Sequence, residues 1–172
     1  MGKRKKKRTH TEEEEVEKVP RCFVMKRGAV GKEVRKLVED MRRVMYPNTA
    51  MNLKESRRNN LRDFVHVAGP LGVTHMLAYS ATDWATYLKV ARLPRGPTLT
   101  FAVRSFSLMQ DVAEAQERPR PPGGPEYKAP PLVILSGMGG GDERTRIMSA
   151  TFQSMFPTLN VTKVRLADAQ RC

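Results

Sequence analysis

Between Cys22 and Pro47 the chain changes its hydrophobic period, and that change restricts the fold more than any other feature. Cys22-Phe23-Val24-Met25 is a short continuous apolar run, the pattern of a buried strand. Beyond Gly28 and Gly31, the residues Val34, Leu37, Val38, Met41, Val44 and Met45 recur at the spacing of one helical face. They predict a helix over 32–46, ended by Pro47. The opposite face carries Lys32, Arg35, Lys36, Arg42 and Arg43 around three acids. A strand followed at once by an amphipathic helix buries the helix's apolar stripe against the sheet, which makes the architecture layered α/β.

The rest of the chain continues the alternation. Asn59 and Asn60 offer a cap for a helix with Leu61, Phe64, Val65 and Ala68 on one side, stopped by Gly69-Pro70, although Val65 and Val67 would also fit a strand. Residues 73–79 read as a buried strand. Thr82 or Asp83 then suits the cap of a helix over 84–91, and Leu99, Phe101 and Val103 alternate in a strand over 98–107. Residues 116–131 hold six of the twelve prolines beside Gly123 and Gly124, a composition that gives an extended, semi-stiff linker. After it come a strand at 132–135, a glycine-rich turn, a helix over 143–156 and a last strand near 161–166. Residues 1–19 set a basic block against an acidic one with almost no apolar residue. They form a tail that cannot offset its ordering entropy alone.

Charge narrows the class of partner. The chain has 31 Lys and Arg against 18 acids, a net +13. The tail to residue 19 accounts for only +2, leaving +11 on the part expected to fold. A body this basic is the footprint of a polyanion binder. Two cysteines, Cys22 and Cys172, give no disulfide framework and suit a reducing compartment. No 18-residue apolar run exists to span a membrane. Lys3, Arg4, Lys5, Lys6, Lys7 and Arg8 read as a nuclear address or a nucleic-acid arm.

Enzyme-like signals are weak. Leu132 to Asp142 (LVILSGMGGGD) has the strand–glycine–helix form of a phosphate cradle. However, the third glycine of the dinucleotide pattern is replaced by Asp142, a negative charge where pyrophosphate sits, and no Gly-Lys-Ser/Thr follows. A flexible turn with Asp142 as helix cap explains it better. His10, His66 and His75 lack metal-ligand spacing, and His75, inside Gly72-Val73-Thr74-His75-Met76, suits a hydrogen-bonded structural role. Glu39 and Asp40 sit beside Arg42 and Arg43 as solvated ion pairs. No metal, cofactor or small-molecule substrate is expected.

The cations remain. Lys26, Arg27, Arg35, Lys36, Arg42, Arg43, Lys54, Arg57, Arg58, Arg62, Arg92, Arg95 and Arg104 are the candidate RNA-binding residues, with Lys89 beside them. Lys and Arg neutralise phosphates without reading sequence, and Arg adds bidentate contacts and stacking. No stacking-aromatic module signature is visible, so recognition of backbone and shape is expected, with the cations gathered on one surface.

Four ordered segments resemble the Brix-domain family, and specifically its Peter Pan branch. They are residues 20–31 (PRCFVMKRGAVG), 37–50 (LVEDMRRVMYPNTA), 61–77 (LRDFVHVAGPLGVTHML) and 93–101 (LPRGPTLTF), with weaker similarity around MFPTLNV. LPRGPT resembles the hallmark of the whole family; GPLGVTH and RRVMYPNTA point to the branch. The resemblance implies a nucleolar, non-enzymatic factor that joins large-subunit ribosome precursors, contacts precursor ribosomal RNA and works beside other assembly proteins. It also implies two similar layered α/β halves, each like an anticodon-binding domain. Residues 20–115 would be the first half and 132–172 an incomplete second, since the family's domain continues beyond Cys172. The competing reading is a protein-interaction scaffold in which the basic face meets an acidic partner and Met-rich positions make adaptable contacts. A nucleotide-binding enzyme built on Gly137–Gly141 is the third.

Overall fold

The computed structural model describes residues 19–56, 59–119 and 124–158. Its centre is a four-stranded sheet in sequence order: β1 (Arg21–Arg27), β2 (Val73–Ala81), β3 (Thr86–Arg92) and β4 (Thr98–Val103). β1 and β2 run parallel; β2, β3 and β4 are antiparallel neighbours. The β1–β2 crossover contains α1 (Lys32–Val44) and α2 (Leu61–Ala68). α3 (Met109–Glu114) and α4 (Glu143–Ser154) follow the sheet.

Strand alternation sorts the core into two layers. Val24, Leu77, Val90 and Leu99 lie in one cross-strand row. That face packs on Val34, Leu37 and Val38 of α1 and on Met155 and Phe152 at the end of α4. Phe101 and Phe152 meet at 5.9 Å between ring centroids. Phe23, Met25, Met76 and Ala78 point the other way onto Ala68, Phe64 and Leu61 of α2 and onto Leu53. Phe23 and Phe64 pack edge to face at 6.4 Å. The α/β layering expected from the alternating periods is therefore present.

Two expected elements differ. Residues 84–91 are not a helix capped by Thr82 or Asp83; they open the strand β3. Thr82 instead closes a hairpin. Its N–H and hydroxyl donate to the Ala85 carbonyl at 2.9 and 3.1 Å, and its hydroxyl accepts from the Ala85 N–H at 3.2 Å. From Thr86 the side chains alternate, Leu88 and Val90 entering the α1 layer and Ala91 the α2 layer, so a period of two prevails over the cap-like residues. Residues 132–135 form no strand, and Ile134 is exposed. A strand exists only where a neighbour takes up its backbone groups, and no described strand lies beside this run. The strand expected near 161–166 and nearly all of the 1–19 tail lie outside the described residues, as do residues 120–123 of the linker.

The segments that carry the resemblance are mostly structural joints. In LPRGPT, Gly96 makes the β3–β4 turn, where a Cβ would lie 2.5 Å from the Cβ of Arg92, so only glycine fits. Gly72 (φ +66°) turns the chain from α2 into β2. In RRVMYPNTA, the Asn48 carbonyl accepts the Cys22 N–H at 2.9 Å and the Thr49 hydroxyl donates to the Cys22 carbonyl at 3.0 Å, stitching this loop along β1. Burial there pushes the Cys22 thiol up to about 11, the Thr49 hydroxyl partly opposing it.

His75, 1% exposed, is buried where β2 meets α4. Its Nδ1 lies 2.9 Å from the Thr74 hydroxyl and its Nε2 3.2 Å from the Ser154 hydroxyl. Burial first, and then the charge of Arg92 on the neighbouring strand, lower its pKa from 6.5 to about 4. The folded state thus keeps the ring neutral over a range in which the unfolded chain protonates. Its contribution is complete above pH 6.5 and is lost as pH falls through 4, in all about 3 kcal/mol. Denaturant unfolding of wild type and His75→Gln at pH 7 and 4.5 should show wild type losing more stability on acidification; parallel losses would contradict this.

Candidate nucleic-acid interface

The carboxyl end of β1 is where the cations gather. Gly28 (φ +75°) turns the chain out of the sheet, and α1 begins at Gly31 with no side-chain cap over its first N–H groups. α2 begins close by. The Asn60 N–H donates to Asp63 Oδ2 at 2.8 Å, fixing the first turn that presents Arg62. Between them lies a cleft of about 820 Å³ lined by Lys26 and Arg27 of β1, Arg35 of α1 and Arg62 of α2. Arg27, Arg35 and Arg62 are exposed and Lys26 is half-buried. Two helix N-termini add their partial positive charge to these four side chains.

Arg42 has a different role. Its side chain is 11% exposed and its Nη2 pairs with Glu55 Oε1 at 2.5 Å, the glutamate being 10% exposed. Arg42 Nε donates to the Val24 carbonyl at 3.0 Å, and the Lys26 N–H donates to the same Glu55 oxygen at 3.2 Å. One guanidinium thus ties α1 to β1 and to the 51–55 segment, and neutralises the one carboxylate, Glu55, in the cleft's lining. Glu55 Oε2 is buried with no hydrogen-bond partner among the described residues.

The other candidates are divided. Arg104 follows β4 directly, at the same end of the sheet as Arg27, because Arg27 pairs with Ser80, and Ala81 and Val103 both pair with Thr86. Lys54 is exposed beside Glu55. Lys36 and Arg43 line a separate mixed-charge hollow with Glu39, Asp40 and Glu114, where Arg43 meets Asp40 at 3.3 Å. Arg92 and Arg95 stand at the far end, around the β3–β4 turn, and Lys89 is half-buried on β3. Arg57 and Arg58 lie outside the described residues. The thirteen cations therefore do not share one surface; Lys26, Arg27, Arg35 and Arg62 do, with Arg104 at the same end.

The glycine-rich turn leads into the first turn of α4, which carries Glu143, Arg144 and Arg146. Asp142 is the N-cap of α4 by position, but its side chain makes no cap hydrogen bond. Among the described residues no three metal-capable side chains come together, and no helix is long and apolar enough to cross a membrane.

The layered α/β unit thus brings strand ends and helix starts to one cleft with four cations in its lining. Comparison with known families matches the Brix domain over residues 28–172. The chain belongs to the Brix-domain family. It is 44% identical over 155 residues to a Peter Pan-like protein of Arabidopsis thaliana, covering 90% of this chain and 45% of that protein. It is also 44% identical over 153 residues to the Suppressor of SWI4 1 homolog of Homo sapiens (89% and 32%). With the ribosome biogenesis protein SSF1 of Saccharomyces cerevisiae it shares 35% identity over 185 residues (98% and 41%). The chain spans less than half the length of these relatives.

Proposed function

We propose that this chain is the part of a ribosome assembly factor that holds precursor ribosomal RNA of the large subunit, without catalysing a reaction. The observation that carries the reading is the cleft, where Lys26, Arg27, Arg35 and Arg62 arrive from three separate elements. Relatives named ribosome biogenesis proteins support the setting, and the reading carries with it a nucleolar location among other assembly proteins. Phosphates seated in the cleft displace counterions, and Arg104 and Lys54 extend the contact along the backbone. Binding to a structured RNA should weaken steeply with salt. For four or five neutralised phosphates the slope of log K against log salt is about −3 to −4. Fluorescence anisotropy across a salt series measures it, and a flat line removes the reading.

The scaffold reading draws on another surface. Val67 and Leu71, 52% and 48% exposed on and just after α2, offer apolar contact to a protein partner away from the cleft. The two functions are compatible, one on each end of the sheet.

A further inference from the structure

We infer that Trp84 is a stacking platform for an unpaired base of the RNA held at the cationic end of the sheet; the inference rests on the phosphate-binding reading of the cleft. Trp84 is the chain's single tryptophan and is 93% exposed, whereas an indole ordinarily buries most of its large apolar surface. It is not at a frayed end. The Thr82–Ala85 hydrogen bonds close the turn on both sides of it, so the ring is carried on a fixed backbone.

Register places this ring. Ser80, just before the turn, lies opposite Arg27; Thr86, just after it, lies opposite Val103, whose next residue is Arg104. Paired strands are about 4.8 Å apart, so a cation stands on each side of the hairpin base. A strand of RNA whose phosphates meet Arg27 or Arg104 has its bases within reach of an indole face, and every base offers a π surface for it. Asp83, exposed beside the ring, discourages a phosphate at the tip itself and leaves the flat face to a base. A protein anchor fits less well. Such anchors sit inside a packed apolar patch, whereas Trp84 follows the exposed polar Thr82 and Asp83, and Val67 and Leu71 lie towards the other end of the sheet.

The test uses the whole chain, with intrinsic tryptophan fluorescence as a site-specific readout. It is titrated with an RNA hairpin bearing an unpaired loop and with a fully paired RNA of equal length. Loop RNA should quench the emission. Affinities of wild type and variants are read by anisotropy of end-labelled RNA, since the variants lack the single tryptophan. Trp84→Ala, checked for an unchanged circular dichroism spectrum, should lose about tenfold or more in affinity for loop RNA and little for the duplex. Trp84→Phe should keep most of the affinity, and the salt slope should be unaltered in both variants. If RNA binds with the expected salt slope but Trp84→Ala binds both RNAs as well as wild type, stacking is refuted and the cleft reading stands. If no RNA binds, both fall. Emission that responds to anionic phosphatidylserine vesicles and not to RNA also overturns the inference.

Discussion

Arg42→Ala should destabilise the folded protein by about 3–5 kcal/mol, because it leaves the Glu55 carboxylate buried without its counter-charge. Arg42 Nη2, the Lys26 N–H and Glu55 Oε1 form one cluster in which both side chains are about nine-tenths buried. The cost arises from desolvation of the stranded carboxylate more than from the attraction lost. A double variant, Arg42→Met with Glu55→Leu, should therefore recover most of the stability, since removing both charges removes the penalty. Urea unfolding of the three proteins measures this. A single-variant cost under about 1 kcal/mol, the value of a solvent-exposed pair, would show that Arg42 does not clamp α1 to β1.

Reversing Arg27, Arg35 and Arg62 to Glu together should lower affinity for structured RNA by at least about a hundredfold, with the salt slope losing about 2 to 3. These side chains are exposed, so folding should be little affected and the loss should lie in binding. Arg92→Glu with Arg95→Glu, at the far end of the sheet, is the control, two charges reversed against three, and should change affinity by less than about threefold. Losses that per reversed charge are the same in the two sets would mean that overall charge, and not the cleft, governs binding.

The contrast between Arg42 and Arg35 marks the reach of sequence reading. Both lie on the polar side of a helix whose apolar stripe was legible in the spacing of Val34, Leu37, Val38 and Met41. What a chain pattern cannot show is that Glu55, thirteen residues further on, returns to cover one of them. β1, α1, α2, β2 and β4 follow from local periods and their Gly, Pro and Asn punctuation. β3 does not, because Thr82-Asp83 suits a helix cap and a hairpin turn equally, and only pairing with Ser80–Ala81 decides between them. That ambiguity also hid Trp84. Read as the first turn of a helix it is ordinary; read as a hairpin tip it is a large apolar ring in water. The run at 132–135 shows the opposite limit, an apolar pattern that names a strand without supplying the neighbour a strand requires.

Composition and packing disagree about where the first unit ends. The prolines of 116–131 look like a boundary, yet Phe152 and Met155 lie against the same sheet as α1, and Ser154 meets His75. A fragment trimmed at that boundary would uncover Phe101 and His75, presenting surface that Phe152 and Ser154 cover in the intact chain. For anyone cutting this protein into pieces, an edge placed ahead of α4 would divide one core, and the proline-rich stretch is better regarded as internal to that core than as a seam.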